Sequence, residues 1–223
     1  MRIRCKPWAR PELESCDFFI NEPEKIKGKW NKTFLNNKPI HLELGCGKGG
    51  FISQAAVNEY DKNFIAVDIK NEMLVLAKRK LENAYKEKDL SADNIKIFIK
   101  NIMQIDEVFD ENDRIERIYI NFCNPWPKPK HRKRRLTHFN NLLKYKKFLD
   151  GEIYFKTDDD ALFKDSFTYF ADAGYEIVYK TFDLHNSDHP NNNYVTEHEN
   201  MFTEEGKTIK FLIAKCKKES ANE

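Results

Sequence analysis

The 223-residue sequence has no C-x-x-C pair, no long apolar run and almost no net charge. Its five cysteines (Cys5, Cys16, Cys46, Cys123 and Cys216) are odd in number and widely spaced. That argues against a disulfide framework and a zinc site, and suits a reducing compartment. No stretch approaches the ~18 apolar residues of a membrane span, and the start has no apolar signal core, so a soluble, cytoplasmic protein without a membrane partner is expected. The net charge of +2 excludes general affinity for polyanions. The positive charge is local: it gathers in residues 128 to 135 and at Arg2, Arg4, Lys6 and Arg10, which favours a defined docking surface.

The most informative stretch runs from Asn121 to Arg135. Three prolines (Pro125, Pro127 and Pro129) surround Trp126, and six Lys or Arg follow with no acid among them. Proline fixes φ and pushes the preceding residue out of the helical region, so a stiff extended loop is expected. A rigid aromatic beside a cationic run suits nucleic acid, with the ring on a base and the charges on phosphate. A solvated basic loop with Trp126 as a core anchor is the plainer alternative, and for Trp126 it is the one expected.

Along the chain, residues 1–30 read as a basic, partly mobile arm and residues 31–223 as one domain without internal repeats. Short apolar runs alternate with helical patterns. Ile40, Leu42 and Leu44 form a strand before the glycines 45–50, a second strand runs from Phe64 to Val67, and an amphipathic helix includes Met73, Leu74, Ala77, Leu81 and Tyr85. Further strands are expected at Ile95 to Ile99, Ile115 to Phe122 and Ile153 to Lys156. Thr137 is placed as a helix cap, a helix spans about Asp159 to Ala173, and Tyr175 to Phe182 and Thr208 to Cys216 close the sheet. Strands alternating with helices predict an α/β fold, a mostly parallel seven-stranded sheet covered on both faces.

In such a sheet ligands bind beyond the carboxyl ends of the strands. Glu43 with Gly45 and Gly47, then Asp68, Asn101, Asn124 and Asp158, stand at successive strand ends. The glycines 45, 47 and 50 match G-x-G-x-x-G, so a nicotinamide dinucleotide is one candidate. Glu43 would repel its pyrophosphate, whereas S-adenosylmethionine carries an ammonium and a sulfonium and no phosphate. The loop also lacks the G-K-[ST] ending of a nucleotide triphosphate site.

The sequence resembles the bacterial tRNA (guanine-N7)-methyltransferases over nearly its whole length. The resemblance rests on Pro7-Trp8-Ala9-Arg10, Glu43-Leu44-Gly45-Cys46-Gly47-Lys48-Gly49, Asn124-Pro125-Trp126-Pro127-Lys128 with its basic tail, Phe155-Lys156-Thr157-Asp158 and Thr196-Glu197-His198-Glu199. It implies a class I, Rossmann-like methyltransferase that uses S-adenosylmethionine to methylate N7 of a guanine in the tRNA variable loop. It further implies that Glu43 holds the methionine part of the cofactor, Asp68 the ribose and Asn101 the adenine edge. Asn124 falls where cofactor and base meet. Lys128, Asp158, Thr196, Glu197, His198 and Glu199 would handle the RNA or the target guanine, and Lys130, Arg132, Lys133, Arg134 and Arg135 the tRNA backbone.

Asparagine stands at 101 and 124 where this family usually has aspartate, and His198 where it has tyrosine. An amide cannot act as a general base, but guanine N7 carries an unprotonated lone pair and needs none, so Asn124 is expected to orient the base. No metal is expected: Asp158, Asp159 and Asp160 suit a helix start, and His185, His189 and the asparagines 191–193 read as a polar loop. Cys46 and Cys123 are expected as small buried side chains. The alternatives are a non-catalytic RNA-binding protein on the same scaffold and a methyltransferase acting on small molecules. Either a monomer or a homodimer fits.

Overall fold

The computed structural model describes residues 6–189 and 194–216. Arg2, Arg4, Cys5 and the asparagines 191–193 lie outside them. The described residues fold into one mixed sheet of eight strands: β1 (Phe19–Ile20), β2 (Ile40–Leu44), β3 (Asn63–Asp68), β4 (Ile95–Ile99), β5 (Ile115–Asn121), β6 (Leu149–Thr157), β7 (Tyr175–Thr181) and β8 (Lys210–Cys216). Their order is β1-β4-β3-β2-β5-β6-β8-β7, with β8 antiparallel to both its neighbours and every other pairing parallel. The seven expected strands are β2 to β8. The eighth, two residues from the stretch read as an arm, extends the β4 edge through Phe19↔Ile97 and Ile20↔Phe98, and is too short to leave an alternating pattern.

Among the described residues six α-helices flank the sheet: α1 (Ala9–Glu14), α2 (Ile52–Asn58), α3 (Asn71–Glu87), α4 (Phe139–Tyr145), α5 (Asp160–Asp172) and α6 (Glu197–Glu204). Strand side chains alternate between two cores, as the pleat requires. Phe64, Ala66 and Tyr119 join α1, α2 and α3 in one, while Ile65, Val67, Ile118 and Ile120 join α4 and α5 in the other. Helix α3 buries Leu74, Val75, Ala77, Leu81 and Tyr85, a stripe at helical spacing. Residues 6–30 enter both cores: Ala9 and Leu13 pack with α3, and Trp30 is fully buried between Phe98 and Phe109.

Three local expectations need correction. Thr137 does not cap α4. It is buried and shares a 2.8 Å hydrogen bond with Ser166 of α5, while His138 Nδ1 accepts from Asn140 N–H as the cap. The basic run is not extended throughout, because Pro129 opens a 3-10 helix over Pro129–Arg134, where its fixed φ and missing N–H cost nothing. Strand β5 stops at Asn121, since Phe122 turns to φ +52°. Helix α6 carries no strong apolar period and is legible in the sequence only as a motif. Its start is a Thr-x-x-Glu capping pattern, with Thr196 Oγ1 accepting from Glu199 N–H at 3.1 Å.

The sheet order reverses between β2 and β5: the chain proceeds from β2 through β3 and β4 toward one edge, then returns to start β5 on the other side of β2. A crevice opens at such a switch point, outside the strands' carboxyl ends.

Candidate active site

Two clefts that share Gly45 and Phe122 occupy this crevice. One, of about 570 Å³, is lined by Gly45, Asp68, Ile69, Asn101, Ile102, Met103, Asn124, Trp126 and Arg134 among others. The other, of about 200 Å³, is lined by Glu43, Gly45, Gly47, Lys48, Asn121, Phe122, Thr196, Glu197 and His198 among others. The residues expected to bind a cofactor and to meet the target base therefore converge. Among those expected to touch RNA or substrate, Thr196, Glu197 and His198 line a cleft wall, whereas Lys128, Asp158 and Glu199 line neither.

The glycine loop follows β2 directly. Gly45 and Gly47 take φ of +83° and +54°, and Asp68 Oδ2 accepts from Gly47 N–H at 3.0 Å, so the end of β3 braces the loop. Gly49, absent from the motif match, is closed to any side chain: at φ +79°, a Cβ there would lie 2.8 Å from the Ala77 backbone of α3. The second Asp68 oxygen accepts from Lys70 N–H at 3.0 Å, and burial raises the Asp68 pKa.

Glu43 sits on the central strand and is 2% exposed. Asn121 Nδ2 donates to its Oε1 at 3.1 Å, and its buried Oε2 has no hydrogen-bond partner. Burial pushes its pKa up to about 7, against the pull of Asn121 and Lys156. A buried carboxylate oxygen without a partner, at a cleft wall, is a seat for a cation. The donor set therefore fits a ligand with an ammonium at one end and a ribose and base at the other. Its neighbour His41 is also buried, between Glu116 at 2.9 Å and the Tyr119 hydroxyl at 3.2 Å, and burial lowers its pKa to about 4, so it is neutral.

The Asn124 segment is strained. Phe122 and Trp126 both have positive φ, +52° and +42°, and Asn124 Oδ1 accepts from Trp126 N–H at 3.1 Å to hold the turn. Trp126 is not the core anchor expected of it. It is half-buried at the cleft wall, with the Arg134 guanidinium 5.2 Å from its ring centre and His131 beside it. Asn101 caps the following turn by accepting from Met103 N–H at 3.1 Å. Burial raises the pKa of Cys46, and that of Cys123 to about 12, which leaves neither thiol ionised near neutrality.

Lys130, Arg132, Lys133 and Arg134 are exposed on the 3-10 helix, and Arg135 is not. Its guanidinium donates to Pro125 O at 2.7 Å and to Asp165 at 2.6 Å, clamping the proline loop to α5. Helix α6 and the residues that lead into it are fixed over the smaller cleft by side-chain contacts from α2, α3 and β6. Gln54 donates to Val195 O at 2.8 Å, Lys80 pairs with Glu197, and buried Lys156 pairs with Glu199 at 2.8 Å. Glu199 also meets His185 at 2.9 Å, and burial lowers the Lys156 pKa while Glu199 opposes it. Asp159, not Asp158, caps α5 by accepting from Leu162 N–H at 2.6 Å, while Asp158 faces Lys207 at 3.8 Å. Among the described residues no group of three His, Cys, Asp or Glu could hold a metal ion, and no helix is long and apolar enough to cross a membrane.

The family model described as "Putative methyltransferase" matches residues 37–212. The tRNA (guanine-N(7)-)-methyltransferase of Clostridium beijerinckii is 59% identical over 216 residues, covering 96% of this chain and 98% of that protein. The enzyme of the same name from Clostridium perfringens strain 13 is 58% identical over 218 residues, covering 96% and 99%. The chain belongs to the tRNA (guanine-N7)-methyltransferase family. Solved structures agree on the fold alone. The 16S rRNA methyltransferase KamB matches with a TM-score of 0.59 at 9% identity over 84% of this chain and 91% of that one, and an antibiotic-related methyltransferase with 0.54 at 16% identity over 82% and 88%. As a member of this family the chain is a Rossmann-like, S-adenosylmethionine-dependent methyltransferase. Asn121 and Lys156 support this site in ways not legible from the motif spacing, and Trp126 faces it, as the less favoured of its two sequence readings has it.

Proposed function

We propose that this protein transfers a methyl group from S-adenosylmethionine to N7 of a guanine in the variable loop of tRNA, in the cytoplasm. The observation that carries the reading is the junction of two clefts at Gly45 and Phe122, with the orphaned Glu43 oxygen in one and Asn124 beside Trp126 in the other. Glu43 would hold the cofactor's ammonium, Asp68 the ribose hydroxyls, and Asn101 with Ile69, Ile102 and Met103 the adenine. The bound cofactor supplies an electrophilic methyl on a sulfonium.

The remaining work is positioning. Guanine presents N7 and O6 as acceptors on one edge. Because Asn124 Oδ1 is held by the Trp126 N–H, its amide N–H groups are what it offers, and a donor to O6 would leave the N7 lone pair free. No proton has to leave before N7 reacts, so asparagine serves where aspartate is usual. Well-oriented reactants gain roughly 7–11 kcal/mol over free encounter. Access to the base costs a few kcal/mol of unstacking, offset by phosphate contacts from Lys130, Arg132, Lys133 and Arg134 and by Trp126 as a stacking surface. Lys128, Asp158, Thr196, Glu197 and His198 border the path of the RNA, and buried Glu199 holds α6 in place.

Chain cleavage specific to 7-methylguanosine tests the position of the product. Treated tRNA should break once, in the variable loop. Cleavage elsewhere, or none despite tight tRNA binding, would overturn the reading, the second in favour of a non-catalytic RNA-binding protein.

A further inference from the structure

Alternation along β2, β5 and β6 sends Leu42, Leu44, Ile118, Ile120, Ile153 and Phe155 into one core. Glu43, Asn121 and Lys156 are therefore on the opposite face together, at the carboxyl ends of three adjacent strands. Asn121 and Lys156 are register partners across β5 and β6. Lys156 directs its ammonium to Glu199, 2.8 Å away, and Asn121 directs its amide to Glu43 Oε1, 3.1 Å away.

We propose that Asn121 is a positioning residue of the cofactor site, holding one carboxylate oxygen of Glu43 so that the other is presented to the cofactor's ammonium. This rests on the function proposed above. A carboxyl group rotates about its last side-chain bond unless something fixes it, and a donor on the neighbouring strand does so. The residue type suits the task. Asparagine donates without adding charge, whereas aspartate would set a like charge beside Glu43 and lysine would neutralise the carboxylate before any ligand arrived.

The charged groups facing Glu43 are Lys156 from β6, Asp68 from β3 and Glu197 from α6, two acids against one base. Burial above all, with Asp68 and Glu197, keeps a proton on Glu43 below about pH 7, against the pull of Asn121 and Lys156. Cation binding then requires that proton to leave, so affinity should fall about tenfold for each pH unit below that point and level off above it. Removing the Asn121 donor removes an interaction that favours the ionised form, and the midpoint must move upward.

Calorimetric titration with S-adenosylhomocysteine, which keeps the ammonium and lacks the transferable methyl, tests this on both sides of neutrality. Wild type should show a midpoint near pH 7 with proton release on binding. Asn121→Leu should raise the midpoint by about one unit, weakening binding about tenfold below it, and raise the cofactor KM with kcat nearly unchanged. The nearly isosteric Asn121→Asp should raise the midpoint as well, and carries the test if the leucine variant fails to fold. Glu43→Gln should abolish the pH dependence and make Asn121→Leu silent in the double variant. Wild-type midpoints in both Asn121 variants, or simple additivity of Glu43→Gln and Asn121→Leu, would overturn the proposal and leave the function standing. Absence of wild-type binding would overturn both.

Discussion

Lys156 of β6 and Glu199 of α6 form an ion pair at 2.8 Å with side chains only 6% and 0% exposed. It ties the last parallel strand to the helix that walls the smaller cleft. Breaking such a pair by removing one partner leaves a buried charge and typically costs about 3–5 kcal/mol. Lys156→Met should lower the unfolding free energy by that order, measured by urea titration. Glu199→Gln takes the carboxylate out of the same pair and should cost a similar amount, while raising the cofactor KM because α6 loosens. Wild-type stability in Lys156→Met would show that the pair does not hold the helix.

The basic 3-10 helix separates charges that face solvent from one that does not. Replacing Arg132, Lys133 and Arg134 by alanine should weaken binding of all tRNAs alike and reduce the salt slope by roughly 0.7–0.9 for each phosphate that is no longer neutralised. Arg135→Ala should act on folding instead, at about 1.5–3 kcal/mol for the charged hydrogen bonds it removes. Filter binding over a salt series, paired with thermal unfolding, distinguishes the two. A triple variant with wild-type affinity and slope would remove the helix from the RNA surface.

Trp126 stands at the cleft wall with Arg134 over its ring. As a stacking surface it should contribute about 1–3 kcal/mol per base, so Trp126→Ala should lower kcat/KM for tRNA about tenfold or more while cofactor affinity stays near wild type. Trp126→Phe should recover most of the loss. An equal loss of cofactor binding would mean that the ring only shapes the loop.

The sheet, its two helical layers and the crevice are legible in the sequence because hydrophobic period and glycine position are local signals. Glu43, Asp68, Asn101 and Asn124 can be placed at strand ends for the same reason. What escapes depends on contacts between distant segments. Asn121 reads as the penultimate residue of a strand, and only the β2–β5 pairing sets it against Glu43. Arg135 looks like the sixth member of a basic run, and Asp165, thirty residues on, makes it a buried clamp. Trp126 is expected in the core because tryptophan usually buries its large ring, but the strained turn from Phe122 aims it at the cleft.

Asn124 stands where the family usually has aspartate, and its variants separate positioning from base catalysis. Asn124→Ala should cost about 10- to 100-fold in kcat as the hydrogen bond to the base is lost, about 1.4–2.8 kcal/mol at 1.4 kcal/mol per tenfold, and Asn124→Asp, whose carboxylate has no N–H to offer O6, should lose a comparable amount. Activity that appears only in Asn124→Asp would mean that the aspartate supplies something an amide cannot.

The most direct measurement is incorporation of labelled methyl from S-adenosylmethionine into unmodified tRNA, followed by digestion to nucleosides. Label in 7-methylguanosine, produced by the wild-type chain with asparagine at 124, is the expected result. Label in another nucleoside, or none while tRNA and cofactor both bind, would contradict it.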